Sequence, residues 1–543
     1  MTQVTKLRTT GGGKISIQQI SAAESSQLRM LFLSWHIDTL GKHRFVPTWF
    51  WLPAILLVGL RLLHFGGELD DPHIWRQADT ANYIWDFYQN GVDLLHPSVC
   101  WMGAHKTVIF EFPLPEAMAT WVARIFGPEL FWSRMLFLGI YLAGAAYFFK
   151  IIRHLTSSNL AAISTLVYLM LPLGIVYSRA VHIDFSAVLC GHAMLYYFLK
   201  AIDRESRGYF LVSMISATLG FLIKVPYLFY LVVPAAAYIH QRRQWRFFLR
   251  TSPLLLLPIL SFLAWQWHVT RVNGAMPDWT FIPEYRKMDD MSGWYFGRTG
   301  DREVLAHWQL LWGRLKYEIL AVIGVPLLLL GGMMQWRNFG ANFMRLWAAG
   351  TLVYLLVFFM LNFHHDYYQI PYLAQLAFFV ALPLHGLFVF LSQRNRVVAG
   401  LALTVCLGLF ALQSIRLTEG KSLNPGEKEY FGNYFKEDEL ILKAGAIIRE
   451  HTPENGLVVA TFGGLDCRCP NLLYAARRNG WSIAKQHLTP SMMQRLQEEG
   501  ATHFALLQID PMSAEMETYV QQFKVEQHIV KGTHWPVRVF NLK

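Results

Sequence analysis

Ionisable side chains are sparse in this chain, and those that occur are of types that could perform chemistry together. The stretch HIWRQADT carries Arg76 and Asp79, and Glu111 lies in the stretch FEFPLPE. Later segments add Asp184 in YSRAVHID and Lys224 in FLIKVP. A carboxylate can take a proton from a hydroxyl nucleophile, and Arg or Lys can stabilise a departing phosphate. The set suits group transfer from a phosphate-activated donor, and it suits a proton-coupled transporter equally well.

The segment that contains Arg76 has the pattern of an amphipathic helix. Its apolar side is formed, at helical spacing, by Ile74, Ala78, Ala81, Trp85 and Tyr88. Its polar side is formed by Arg76, Asp79, Tyr83, Asp86 and Asn90. Because the segment is too polar to cross a membrane, we predict a helix that lies at the membrane interface.

Two aspartates of this region admit both a structural and a catalytic interpretation. Asp71 precedes Pro72, and an aspartate N-cap followed by proline is a common helix start that needs no catalytic explanation. Asp79 lies two turns into the helix, where capping is unavailable, and Arg76 could hold it as a carboxylate. The alternative for Asp79 is a solvated surface residue.

The composition places the chain among membrane proteins. Hydrophobic residues make up 54% of its 543 residues, charged residues only 16%, and the mean hydropathy is positive. The formal net charge of +11 could indicate a nucleic acid partner, but Lys and Arg lie mainly in short connectors between apolar runs. That distribution is typical of charge that orients a membrane protein, so we expect no nucleic acid partner.

Apolar runs of about 20 residues, each able to cross a bilayer, recur along the chain. They give about eleven candidate spans, at 48–65, 130–149, 160–178, 182–199, 208–223, 225–239, 251–268, 317–334, 343–361, 371–392 and 397–413. The first run is followed by GGELDDP rather than a small-residue cleavage signature, so we expect an uncleaved anchor. Basic residues such as Lys150, Arg153 and Arg242 fall on one side, which predicts a cytoplasmic N-terminus and an outward C-terminal tail.

The sequence divides into three regions: a polar cytoplasmic N-terminal segment at 1–46, a transmembrane domain at 47–413 with outward loops at 66–129 and 270–315, and an extracytoplasmic domain at 414–543. The tail alternates strand-like LVVATF, THFALL and VRVFNL with helix-like NLLYAARR and SMMQRLQEE. We therefore predict an α-helical polytopic membrane protein with a small C-terminal α/β domain outside the membrane.

Cys100 can form a disulfide with Cys467 or Cys469 if these segments share an oxidising compartment.

The candidate groups fall at the outer ends of the predicted spans. Asp184 starts one span, Lys224 lies between two others, and HHDYY at 364–368 forms the loop before Pro371. Each has an ordinary structural interpretation, such as a helix N-terminus for Asp184 or interfacial aromatics for the tyrosines. Together they lie on one outward face, by a topology derived without them. Ionisable groups at membrane depth usually mark a site.

The order of these motifs resembles that of the GT-C glycosyltransferases. An outward loop after the first span carries an acidic motif and FEFPL, an Asp starts the fourth span, and LIKVP and HHDYYQIPYL follow. The branch it resembles contains the protein O-mannosyltransferases and the lipid A aminoarabinose transferase, and the resemblance covers roughly 45–415. It implies an inverting transferase that moves a sugar from a polyprenyl-phosphate carrier to an acceptor hydroxyl on a glycan, lipid or protein at the outer face.

The resemblance also implies roles for individual residues. The general base is Asp79 by position, with Asp71 as the second choice. Glu111 takes the place of the family's motif glutamate, and Asp184 orients the acceptor or contributes to a metal site. The carrier phosphate is bound by Lys224, His364, His365, Tyr367 and Tyr368, with Arg76 or Arg179 assisting them. Two departures bear on these roles: WRQADT replaces the usual Asp-Glu pair, and Phe112 stands where relatives often have Lys.

The mechanism implied is a single displacement. The acceptor hydroxyl, deprotonated by Asp79 or its substitute, attacks the anomeric carbon while the lipid phosphate leaves against cationic groups. The sequence requires no cofactor, although Asp and Glu oxygens would suit Mg²⁺ or Mn²⁺. We expect a multi-pass protein of a bacterial inner membrane, whose partners are membrane lipid, the polyprenyl-phosphate-linked sugar and the acceptor.

A transporter or flippase of a lipid-linked glycan is the main alternative function. It predicts internal repeats and polar groups near the middle of the membrane, whereas the charged candidates cluster at one end of the predicted spans. A purely structural membrane scaffold is a third hypothesis, for which a cluster of Asp, Glu, Lys and His serves no purpose.

Overall fold

The computed structural model describes the backbone of residues 5–10 and 14–19, and residues 46–275, 292–334, 339–462 and 470–543. Strands β1 (Thr5–Thr10) and β2 (Lys14–Gln19) pair as an antiparallel hairpin in the N-terminal segment. A bundle of helices follows, and a small mixed sheet ends the chain. Cys467 and Cys469 of the predicted disulfide lie outside the described residues.

The helices that precede the sheet are α1 (Trp51–Arg61), α2 (Ile74–Asn90), α3 (Leu114–Phe126), α4 (Leu130–Leu155), α5 (Ser158–Met170), α6 (Pro172–Tyr177), α7 (Asp184–Arg204), α8 (Arg207–Lys224), α9 (Val232–Arg242), α10 (Trp245–Thr251) and α11 (Leu256–Gly274). They continue with α12 (Ser292–Tyr295), α13 (Leu305–Arg314), α14 (Gly324–Met333), α15 (Phe339–Val357), α16 (Phe359–His364), α17 (Leu373–Ser392), α18 (Arg396–Thr418), α19 (Pro425–Phe431) and α20 (Glu439–Glu450). A π-helical turn at Leu315–Ile319 follows α13, and a 3₁₀ helix at Asp366–Tyr372 precedes α17.

Six described segments are long and apolar enough to cross a membrane: Leu130–Leu155, Asp184–Arg204, Arg207–Tyr227, Trp245–Gly274, Asp366–Ser392 and Arg396–Thr418. A seventh candidate is the pair Leu305–Ile319 and Gly324–Met333, which bends by 101° at its break. Shorter apolar helices at Thr48–His64, Ser158–Met170 and Asn342–Val357 occupy three more of the predicted windows. The predicted class of helical polytopic membrane protein is confirmed, with fewer full-length spans in the described residues than the sequence windows indicated.

Helix breaks explain the difference in span number. The window 160–178 is divided at Leu171, because Pro172 can begin a helix but cannot continue one. The window 225–239 starts with two 3₁₀ turns, so α9 is only 11 residues long. Apolar composition identifies these windows as helical and buried, but it carries no signal for where the axis bends.

The helices differ in how much of their surface is covered by the rest of the protein. In the most apolar window of α7, 72% of the residues are buried, against 17% in the window of Trp245–Gly274. Leu260, Leu263 and Trp267 are exposed on that outer segment, which is typical of a helix that contacts lipid. The centre of the bundle is formed by α4, α5, α7 and α17, and these helices position the site.

The C-terminal sheet contains β3 (Leu457–Phe462), β4 (Asn479–Ser482), β5 (Ala501–Leu507), β6 (Lys524–Ile529) and β7 (Pro536–Asn541). Its strand order is β4-β3-β5-β7-β6. The first three strands in that order are parallel, while β7 pairs antiparallel with both β5 and β6. Helices α20, α21 (Asn471–Ala476), α22 (Pro490–Glu498) and α23 (Ala514–Val520) alternate with the strands. The predicted small α/β domain at the C-terminus is confirmed.

The loop after α2 packs against this sheet. The amide of Gly480 donates to the carbonyl of Cys100 at 2.9 Å, and Met102 pairs with Trp481 in an isolated bridge. Gly103 has a φ of +58°, and a Cβ at this position would lie 2.1 Å from the Trp481 ring. A glycine is required here, because both the backbone conformation and the indole exclude a side chain.

Gly103→Ala is expected to lower the thermal midpoint of the purified protein, because the new methyl group must displace Trp481. The cost combines about 1 kcal/mol for the left-handed backbone with about 1 to 3 kcal/mol for overpacking. Gly420→Ala is the matched control, since Gly420 has a similar φ of +66° but its nearest neighbour would lie 3.8 Å from the Cβ. Equal losses of thermal midpoint in the two variants would contradict a steric role for Trp481.

A buried carboxyl group lies in α3, outside the candidate spans. Glu116 is 3% exposed, and its Oε2 has no hydrogen-bond partner within the described part of the chain. Burial raises the pKa of Glu116 to about 8, and the nearby Arg76 opposes this shift only in part. The folded protein therefore holds this carboxyl group protonated at neutral pH.

The carboxyl group of Glu116 loses its proton at a pH of 4.5 in the unfolded chain and at about 8 in the folded protein. The free energy of unfolding therefore falls as the pH rises between these two values. Glu116→Gln removes this dependence. We expect the thermal midpoint of the variant, relative to wild type, to rise between about pH 5 and about pH 8 in thermal denaturation experiments. Glu303→Gln, at an exposed glutamate, is the control. A difference that stays constant with pH would show that Glu116 is ionised in the fold.

Candidate active site

Arg76 and Glu111, two of the predicted groups, form an ion pair beside the first turn of α2. Nη2 of Arg76 lies 2.7 Å from Oε2 of Glu111. The amide of the next residue, Phe112, donates to the carbonyl of Leu222 at 3.2 Å, which fixes this turn against the end of α8. The guanidinium is nearly buried, whereas the Glu111 side chain is 25% exposed. The carboxylate therefore remains accessible while the cation is held in place.

Lys224, the last residue of α8, forms a second ion pair with Asp184, the first residue of α7. Its Nζ lies 2.8 Å from Oδ1 of Asp184, and both side chains are buried. Tyr227 donates a hydrogen bond to the same carboxylate oxygen. Nδ1 of His182 lies 2.6 Å from the other oxygen. The carboxylate is thus enclosed by one cation, one phenol and one imidazole, and it also lies at a helix N-terminus, which favours negative charge.

The predicted HHDYY motif lines the same place with aromatic rings. Nζ of Lys224 lies 4.5 Å from the ring centroid of Tyr368 and 5.2 Å from that of Tyr367. The hydroxyl oxygen of Tyr227, which donates to Asp184, also lies 2.8 Å from the carbonyl oxygen of Tyr367 and brings the 3₁₀ helix against the end of α8. Aromatic faces attract a cation electrostatically, so these rings stabilise the ammonium group without neutralising it.

His365 lies among aromatic rings beside this cluster. Its ring centroid is 5.1 Å from that of Tyr367 and 4.9 Å from that of His73. Burial lowers the pKa of His365 to about 2, so the imidazole is neutral. Neither ring nitrogen has a hydrogen-bond partner among the residues that the structure describes. His365 can therefore contact a phosphate only as a neutral hydrogen-bond donor. Its neighbour His364 stacks on Trp294 at 4.3 Å.

A histidine that sequence reasoning did not assign stands next to this group. Nε2 of His73 lies 2.9 Å from Oδ1 of Asp366, and the imidazole is partly exposed. Asp366 also accepts a hydrogen bond from the hydroxyl of Tyr177 at 2.6 Å. This carboxylate fixes the tautomer and the orientation of the imidazole. His73 precedes the quoted WRQADT and Asp366 is the centre of HHDYY, but nothing in either motif indicates that the two pair.

Tyr434 links this dyad to a further buried acid. Its hydroxyl lies 3.2 Å from Oδ2 of Asp366 and 3.1 Å from Oε1 of Glu318. Glu318 belongs to the π-helical turn after α13, while Tyr434 comes from the connection between α19 and α20. A hydrogen-bonded path therefore runs from the C-terminal region of the chain to the site. No local pattern in the sequence marks either residue for this role.

Arg179 was predicted to assist phosphate binding, but in the structure its guanidinium contacts a different group of residues. Its guanidinium forms a buried ion pair with Asp70 and lies 4.6 Å from the ring centroid of Phe435. Arg134 reaches the same carboxylate at 3.6 Å and donates to the carbonyls of the preceding turn, including Gly66 at 3.1 Å. These contacts anchor the start of the first loop, so Arg179 has a structural partner and is not assembled with Arg76 and Lys224.

The two aspartates predicted as the base also have structural partners. Asp79 is 4% exposed and accepts a hydrogen bond from Nε1 of Trp101 at 3.0 Å. Asp71 accepts from the amide of Ile74, the first residue of α2. The predicted cap is wrong in register, because the N-cap of this helix is His73 and Pro72 lies before the helix. Its own amide donates to the carbonyl of Lys436 at 3.0 Å. Both acids thus hold the first loop in place, and Glu111 is the predicted acid that combines exposure with a cationic neighbour.

The acids of the site are neutralised by side chains of the protein. Arg76 pairs with Glu111, and Lys224 pairs with Asp184. A divalent cation would have to compete with these ammonium and guanidinium groups for the same oxygens. The donor set formed by Glu111 and Asp184 therefore does not fit Mg²⁺ or Mn²⁺, which the sequence allowed but did not require.

Comparisons with known proteins agree with this architecture. Residues 111–267 match the family described as dolichyl-phosphate-mannose-protein mannosyltransferase. The matched segment contains Glu111, Asp184 and Lys224. No curated protein sequence matches the chain.

Several solved structures have a similar fold. ArnT from Cupriavidus metallidurans in the apo state aligns with a TM-score of 0.59 and 14% identity, covering 90% of this chain and 98% of ArnT. The same protein bound to undecaprenyl phosphate aligns with a TM-score of 0.57, the same identity and the same coverage. An oligosaccharyltransferase from Archaeoglobus fulgidus in complex with zinc and sulfate has a TM-score of 0.51 and 12% identity, covering 90% of this chain and 72% of that one.

The fold likeness extends over most of this chain, and the family match falls on the segment that carries the ion pairs. The predicted enzyme class, a polyprenyl-phosphate-sugar-dependent glycosyltransferase, is confirmed at the level of that family, whose name gives a dolichyl-phosphate-mannose donor. The resemblance inferred from the motifs agrees with both findings: residues 111–267 match the dolichyl-phosphate-mannose-protein mannosyltransferase family, and the chain has an ArnT-like fold.

Proposed function

We propose that this protein transfers a sugar from a polyprenyl-phosphate carrier to a hydroxyl group of a glycan, lipid or protein acceptor. The observation that supports it is that two ion pairs, Arg76 with Glu111 and Lys224 with Asp184, are joined where the amide of Phe112 bonds to Leu222 near the end of α8. The undecaprenyl phosphate in a structure of similar fold supports a lipid phosphate as the leaving group. Inversion at the anomeric carbon follows from a single displacement.

The carrier phosphate binds to the two cations of the site. Lys224 supplies a compact positive charge. Its ion-pair partner Asp184 holds the ammonium group at the end of α8. Arg76 supplies further planar N–H donors beside its bond to Glu111. As the bond between the sugar and the phosphate breaks, negative charge grows on the phosphate, and preorganised cations in a site with little water stabilise it.

We assign the acceptor base to Glu111 rather than to Asp79. A base must reach the hydroxyl group that it deprotonates, and Glu111 is 25% exposed whereas Asp79 is 4% exposed beneath Trp101. Arg76 orients the Glu111 carboxylate. His73, oriented by Asp366 and partly exposed, lies against His365 and can hydrogen-bond the acceptor. Asp79 and Asp71 then position the first loop.

The orientation in the membrane follows from the two hairpin helices of the site. α7 runs from Asp184 to Arg204, and α8 returns from Arg207 to Lys224. The basic turn between them therefore lies at the end opposite to the site. From the positive-inside rule we infer that this end is cytoplasmic. By this proposal the site and the C-terminal domain lie on the outer side of the membrane, which we expect to be a bacterial inner membrane.

Lys224→Met is expected to lower turnover by about 100-fold or more, because the leaving phosphate loses a preorganised cation. Turnover is measured as polyprenyl phosphate released when purified protein in detergent receives a set of polyprenyl-phosphate sugars and acceptors. Lys200→Met is the control, since Lys200 lies near the opposite end of α7 and contacts tyrosine rings there. Wild-type turnover in Lys224→Met would refute the phosphate site. Translocation of intact lipid-linked sugar without release of carrier would favour the transporter.

Glu111→Gln and Asp79→Asn separate the two candidates for the base. The first removes the base and is expected to lower turnover by about 100-fold or more. The second keeps an oxygen that can accept from Trp101, so its loss of turnover is expected to be smaller. Turnover of both variants is measured at saturating acceptor, and thermal midpoints serve as the folding control. The reverse order of losses would return the role to Asp79.

A further inference from the structure

A cluster of metal-ligating side chains lies on the C-terminal domain, away from the sugar-transfer site. His451 directly follows the last residue of α20, while Glu526 and His528 lie on β6. Nδ1 of His451 is 2.8 Å from Oε2 of Glu526. The rings of His451 and His528 stack with centroids 3.9 Å apart and planes inclined by 24°. Ligand atoms from all three residues lie within 4.8 Å of one another.

The placement on β6 is what brings the ligands to one side. Glu526 and His528 are two residues apart on a strand, so both side chains project from the same face of the sheet. β6 is an edge strand, paired only with β7. The end of α20 passes over this face and adds His451 from a distant part of the chain. Three ligands from two elements therefore meet at an edge.

One nitrogen of the cluster is left without a protein partner. Nε2 of His528 is buried and accepts or donates no hydrogen bond within the described ranges 46–275, 292–334, 339–462 and 470–543. A buried polar atom without a partner costs free energy, and such atoms often indicate a ligand that completes the site. The sugar-transfer chemistry uses none of these residues.

We propose that His451, Glu526 and His528 bind a zinc ion. Two imidazoles and one carboxylate are a ligand set that zinc accepts, with water in the fourth position. Imidazole nitrogen disfavours Mg²⁺ and Ca²⁺, which prefer oxygen ligands. Tetrahedral coordination at about 2.0 to 2.1 Å brings ligand atoms to within about 3.4 Å of each other. Small rotations of the three side chains bring the ligand atoms to this spacing. Glu526 also supplies a negative charge that offsets the charge of the cation, whereas the neutral histidines supply none.

The bound ion joins the end of α20 to the edge strand. The end of the helix and the strand contact each other here through His451 and Glu526 and through the stacked rings of His451 and His528. Two coordinate bonds from β6 and one from the end of α20 hold the strand against the domain. Zinc therefore stabilises the folded C-terminal domain, because it binds the folded arrangement and not the separated ligands.

The test uses the full-length protein in detergent, stripped of metal with a chelator and titrated with zinc chloride. Wild type is expected to bind one zinc ion at this cluster, measured by calorimetry and by elemental analysis after desalting, with a rise in thermal midpoint. His528→Gln is expected to weaken this binding by about tenfold or more, because a ligand is lost. The same titration with cobalt chloride reports coordination by nitrogen through visible absorption bands, which His528→Gln should lose.

Two further variants keep the test interpretable. Glu526→Gln changes an exposed side chain and keeps its shape, so it reports the loss of a ligand even if His528→Gln fails to fold. His534→Gln is the matched control, because His534 is an exposed histidine of the same domain outside the cluster. Zinc affinity and thermal shift that are unchanged in Glu526→Gln and His528→Gln would overturn the proposal. Equal weakening by His534→Gln would assign the metal to adventitious surface binding.

Discussion

The ion pair between Lys224 and Asp184 is the interaction on which the site depends. Each charge would be costly alone in a buried position, and the two offset each other only because hydrogen bonds from Tyr227 and contact with His182 complete the carboxylate's surroundings. The pair also joins the start of α7 to the end of α8, so it closes a helical hairpin. Loss of either partner would leave a buried charge at the place where two spans meet.

The remaining groups are arranged around this pair by long-range contacts. Phe112 ties the first loop to α8 through Leu222, and Tyr227 ties the 3₁₀ helix at Asp366–Tyr372 to the same turn. Segments separated by more than a hundred residues thus share one enclosure of ions and aromatic rings. Carboxylates and ring faces surround the cations there and fix their positions, which is the preorganisation that the proposed sugar transfer would use.

The sequence motifs predicted which residues meet, while the roles of these residues stay predictions. Arg76 pairs with Glu111, and Asp184 pairs with Lys224 beside Tyr367 and Tyr368. The contacts of Arg179 and Asp79 could not be predicted, because each is decided by a partner distant in sequence or by burial, Asp70 for one and Trp101 for the other. The contacts of His73 and Tyr434 with Asp366 could not be predicted from any sequence pattern, because they depend on tertiary packing. The described residues contain fewer full-length spans than the apolar windows indicated, because hydropathy does not register a bend.

The hydroxyl of Tyr434 has a consequence for how the chain can be divided. It reaches Asp366 and Glu318 from beyond α18, and the segment that carries it also bonds to the backbone of Asp71. A truncated protein that ends after α18 would lose the Tyr434 hydroxyl that lies between two buried acids, and the backbone bonds that hold the first loop at Asp71. The helix bundle therefore depends on the linker before the C-terminal sheet, and a division of the chain should keep this linker with the bundle.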